Sequence, residues 1–73
     1  MNEEKRKEIV DALENTIQIL CENAGKDAER ATAAKNLGNI ELSTAYMQCS
    51  KQALLMADYL RIDCNYIISQ PKD

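Results

Sequence analysis

From Ile9 onward, apolar side chains return every three or four residues: Val10, Leu13, Ile17, Leu20, Ala24, Ala28 and Ala31. At 3.6 residues per turn this spacing stacks them on one side of an α-helix. The only proline is Pro71, so nothing in the chain forbids long helices. The pattern keeps its phase through Gly25, which predicts one helix from about residue 3 to about residue 37. Gly25 costs about 1 kcal/mol relative to alanine inside a helix. With Asn23 and Asp27 beside it, it also leaves open an alternative in which the helix breaks there and the chain has three helices.

Leu37-Gly38-Asn39-Ile40 reads as a reversal. Glycine accepts the left-handed conformation that closes a helix, and asparagine can cap the next one through its side-chain oxygen. A second helix follows, with Leu42, Tyr46, Cys49, Ala53, Met56, Leu60, Cys64 and Ile67 on one face, and ends near Ser69 ahead of Pro71. The two stripes together predict an all-α fold, a long antiparallel helical hairpin forming a single domain over residues 1–73. In this reading Met56 lies in the row that holds the hairpin together, and a charge placed there should unfold it.

The second helix has more apolar surface than one neighbour covers. Leu55, Tyr59, Ile62 and Tyr66 form another row, rotated by about 130° from the first at 100° per residue. Ile19 on the first helix adds to it. A chain of 73 residues sits near the lower limit for a self-sufficient core. The surplus row is therefore expected to be an interface, most simply that of a homodimer forming a four-helix bundle. The interface residues expected are Leu55, Tyr59, Ile62, Tyr66 and Ile19. Tyrosine suits such a place because it joins apolar area to a polar tip. For Tyr46 the spacing favours the intrachain core.

Twelve acidic and nine basic residues give a net charge of -3. The chain lacks the excess of lysine and arginine that phosphate backbones require, so nucleic acid is not expected as a direct partner. Glu3, Glu4 and Glu8 alternate with Lys5, Arg6 and Lys7, the pattern of a solvated first turn. No stretch approaches the roughly 20 apolar residues of a membrane span, and MNEEKRKE has no signal-peptide core. A cytoplasmic location is expected, and the odd number of cysteines agrees with a reducing compartment.

The absence of histidine removes the commonest general base and metal ligand. Cys21, Cys49 and Cys64 fall at different heights of a hairpin turning at Gly38. Even Cys21 and Cys49 would stand on the order of 10 Å apart along the axis, beyond the roughly 7 Å Cα reach of a disulfide. They are expected to be structural. Asp58 and Asp63 flank the apolar rows of the second helix and are expected at solvent-facing edges or paired with Arg61.

No catalytic, cofactor or metal site is expected, and the chain is read as non-enzymatic. The expected function is that of a regulatory or inhibitory protein-binding module, a homo-oligomeric helical bundle with a protein partner the residues do not identify. The alternative is a small-molecule sequestering protein, with a ligand enclosed in the apolar end of an oligomer near Tyr59, Tyr66 and Asp63.

Overall fold

The computed structural model describes residues 2–71, and among these the chain is two α-helices and the turn between them. The first helix, α1, spans Glu3–Asn36, and the second, α2, spans Ile40–Ile68. They pack side by side as an antiparallel hairpin measuring 57 × 14 × 10 Å between Cα positions. No strand is present among the described residues, and no helix is long and apolar enough to cross a membrane.

Each boundary has a local cause. Asn2 caps α1, its Oδ1 accepting the backbone N–H of Lys5 at 2.7 Å. α1 passes through Gly25 without a break, so the three-helix alternative is not adopted. A β-carbon at Gly25 would meet nothing within 4 Å, so no packing constraint there opposes a continuous helix. At the other end Gly38 takes φ +80°. Its N–H donates to the carbonyl of Lys35, and that of Asn39 donates to the carbonyl of Ala34, both at 2.9 Å. This pair of bonds satisfies carbonyls that the helix end leaves free. Asn39 then caps α2 by accepting the Leu42 N–H at 3.1 Å.

The seam between the helices is a strict alternation of three- and four-residue steps. α1 contributes Val10, Leu13, Ile17, Leu20, Ala24, Asp27, Ala31 and Ala34; α2 contributes Ser43, Tyr46, Ser50, Ala53, Ala57, Leu60, Cys64 and Ile67. All are buried or half-buried, and the repeat of seven is that of helices meeting at a shallow angle. The α1 stripe agrees with the spacing read from sequence except at one step, where Asp27 holds the seam position and Ala28 lies half-buried on its flank. The α2 stripe does not. Leu42, Cys49 and Met56 are exposed, and their immediate successors Ser43, Ser50 and Ala57 take their places.

The reason is space. The most buried side chains are small: Ala24, Ala31, Ala34, Ser50, Ala57 and Cys64, and none of the large ones is fully buried. Helices in such contact approach closely, and a serine fits where leucine or methionine would push them apart. The serines also find partners, because the Ser43 Oγ donates to the Ala31 carbonyl and the Ser50 Oγ to the Ala24 carbonyl, each at 2.8 Å. A hydroxyl buried with such a partner avoids the desolvation cost that would otherwise exclude it.

Arg6 closes the open end of the hairpin. Its side chain is only 12% exposed and reaches Glu3 at 3.4 Å. Its guanidinium also donates to the Pro71 carbonyl at 3.0 Å. The expectation of a wholly solvated first turn thus fails at this residue. Position 6 continues the seam spacing beyond Val10, which the surrounding charges disguise.

Candidate functional site

With the seam fixed, the rest of α2 can be placed around it. At 100° per residue, Leu55, Tyr59, Ile62 and Tyr66 lie about 150–170° from the seam, on the side of α2 facing away from α1. They are 49, 66, 63 and 67% exposed. The rotation is larger than the 130° inferred from sequence because the seam itself is shifted. The four residues do share one row, which steps by four, three and four positions.

Ile19, expected to join them, is 48% exposed but belongs to α1. It stands about 120° of rotation from the α1 seam, and the structure does not bring it into the α2 row. Further apolar side chains on α2 are exposed; spacing did not single out Met47, Leu54 or Ile68, and it placed Leu42 and Met56 in the seam. Met47, Leu54 and Ile68 lie along one flank of its seam, and Leu42 and Met56 along the other, all more than two-fifths exposed. α2 is therefore apolar on most of its circumference, and a helix of that kind is ordinarily covered on several sides. α1 covers one.

The polar residues near this face are held at its edges. Asp58 is paired with Arg61 at 2.7 Å, with both side chains at least half exposed, so the pair contributes little stability in water. Asp63 is exposed. Arg61 also crosses to α1, its guanidinium donating to the Cys21 Sγ at 3.3 Å. Beneath it lies a shallow cleft of about 280 Å³ lined by Glu14, Ile17, Arg61, Cys64, Asn65 and Ile68. Tyr59, Tyr66 and Asp63 are not part of it. Its volume falls just below the range of about 300–1,000 Å³ for sites that enclose small molecules.

The three cysteines are free. Cys64 is buried in the seam and Cys21 half-buried beside it, as expected of structural cysteines, but Cys49 is exposed. Tyr46 is half-buried in the seam, in agreement with its expected core position. Among the described residues no three cysteine or carboxylate side chains come together as a possible metal site. Comparison with known proteins gives no match, since no family model, no curated protein and no solved structure is significantly similar to this chain.

Proposed function

We propose that this chain is a non-catalytic, regulatory or inhibitory protein-binding module that works in the cytoplasm as a homo-oligomeric helical bundle. The observation that carries the reading is the apolar circumference of α2, of which α1 covers only one side. The accessible surface supports it. The chain exposes 5542 Å², whereas a compact protein of its 8.2 kDa mass exposes about 4,500 Å². The radius of gyration is likewise 16.7 Å against about 11 Å for a compact chain of this length. The surplus of roughly 1,000 Å² is comparable to the area that one partner contributes to a standard interface. The two tyrosines of the surplus row, which alternate with Leu55 and Ile62, are of the type that anchors protein contacts. The three free thiols suit a reducing compartment.

Sedimentation equilibrium at micromolar concentration tests the self-association. A dimer or larger species is expected. Ile62→Asp would place unpaired carboxylates in the contact, which costs several kcal/mol on burial, and should shift the equilibrium to monomer. A stable monomer of the unaltered chain would defeat the reading. Native mass spectrometry separates the remaining alternative, because a co-purifying small mass would indicate a sequestering protein.

A further inference from the structure

Self-association leaves undecided which faces meet, and the phases of the two helices decide it. In a square four-helix bundle every helix touches two neighbours and must present two apolar faces about a quarter-turn apart. α1 has no continuous second apolar face. Beside its seam, Cys21 and Ala28 are interrupted by exposed Lys7, Glu14 and Lys35 on one flank, and Ile9 on the other is followed by exposed Thr16, Asn23 and Arg30. α2 has a second face, and its row lies opposite the seam.

We propose that a second copy of this chain packs its own α2 row against Leu55, Tyr59, Ile62 and Tyr66, antiparallel, about a two-fold axis level with Leu60 and Arg61. The four helices then lie side by side, both α2 inside and both α1 outside. This rests on the self-association reading above and specifies its geometry.

Three observations select the arrangement. The row's steps of four, three and four are the same read in either direction. An antiparallel pair therefore sets Leu55 of one copy against Tyr66 of the other, and Tyr59 against Ile62, so that each aromatic ring meets an aliphatic side chain. The second observation is charge. Asp58 and Asp63 flank the row on opposite sides, five positions apart, which is the offset at which the flanks of two parallel helices meet across a coiled coil. A parallel pair would thus oppose carboxylate to carboxylate twice, with Arg61 already engaged by Asp58 of its own helix at 2.7 Å. Antiparallel pairing turns each flank toward its own equivalent, bringing Asp58 beside Asn65 and Asp63 beside Met56. The third is area. With exposures of 49, 66, 63 and 67%, and roughly 200 Å² per large side chain, the row offers about 500 Å² per chain. Two copies together reach about 1,000 Å², the threshold for a biological interface and the size of a weak, reversible one.

The test uses the unaltered full chain. Isotope-labelled and unlabelled protein are mixed, and NMR selects contacts that pass between copies. Leu55 methyl to Tyr66 ring contacts are expected; within one chain these residues are about 16 Å apart along the helix, so an intrachain origin is ruled out. Sedimentation of the same sample reads self-association independently. A dimer showing Tyr66 to Tyr66 contacts would mean parallel helices. A dimer contacting its copy through Ile19 of α1 would mean a square bundle. Either overturns this proposal while self-association stands, and a monomer overturns both. Ile62→Asp should raise the dimer Kd by more than about a hundredfold with helix content kept; an unchanged Kd would also overturn the proposal.

Discussion

Met56 and Ala57 are neighbours in sequence, and the fold treats them as opposites. Ala57 is completely buried, while Met56 is 57% exposed. Enlarging Ala57 to leucine forces a branched side chain between helices that meet there through small residues, and overpacking of this kind costs about 1–3 kcal/mol. Native chains of this size are stable by roughly 4–11 kcal/mol in total. A loss near 2 kcal/mol would lower Tm by about 10 °C, taking 4–8 °C per kcal/mol for a domain of this length. Met56→Ala removes a side chain that is mostly in water and introduces the best helix former, so the net cost should stay below about 1 kcal/mol. If Met56 occupied the seam, as hydropathy alone suggests, the same truncation would cost about 2–5 kcal/mol. Thermal unfolding followed by far-UV circular dichroism measures both variants. Protein concentration must be held fixed because association adds to stability by mass action. A Met56→Ala loss exceeding that of Ala57→Leu would show that the α2 seam runs in the other phase.

Gly25→Ala should raise stability by up to about 1 kcal/mol, since the added β-carbon meets nothing within 4 Å and alanine is the better helix former; a lowered Tm would count against the continuous α1. Gly38→Ala should cost about 1–2 kcal/mol, because φ +80° is a left-handed conformation that a β-carbon opposes. An unchanged Tm would mean that the turn closes differently. Alkylation under native conditions should modify Cys49 first, Cys21 more slowly and Cys64 only on unfolding, following their exposure; rapid labelling of Cys64, read by mass spectrometry, would contradict its place in the seam. Reducing agent should leave Tm unchanged, as the three thiols are free.

The hairpin was legible because its signals act locally. The α1 spacing, the Gly38-Asn39 reversal and the stop before Pro71 each depend on neighbouring residues alone. The phase of α2 was not, because spacing weighted by hydropathy ranks Leu42, Cys49 and Met56 above Ser43, Ser50 and Ala57. Burial between two close helices selects instead for small size and for hydroxyls that can reach a carbonyl. The serines do carry a signal that could have been found. Ser43 and Ser50 are seven positions apart, as are Ala31 and Ala24, whose carbonyls they meet. The row Leu55, Tyr59, Ile62 and Tyr66 remained legible as surplus since either phase of the seam leaves it uncovered. Arg6 was hidden by the charges around it. Its contact with Pro71 depends on α1 and α2 reaching the same height, which no local pattern expresses.

That contact makes chain order separable from shape. The Pro71 carbonyl accepts a hydrogen bond from a side chain 65 positions earlier, so residues near the two ends of the described chain adjoin, while Gly38 lies at the opposite tip of a rod 57 Å long. A short linker joining those ends, with the chain opened between Gly38 and Asn39, would make a circular permutant in which α2 precedes α1. Asn39 would still cap α2 and every seam contact would be kept, while Gly38 would no longer have to hold a reversal. Such a chain should reach the same paired helices by the reverse order of synthesis, because the seam depends on which faces meet and is indifferent to which helix is made first.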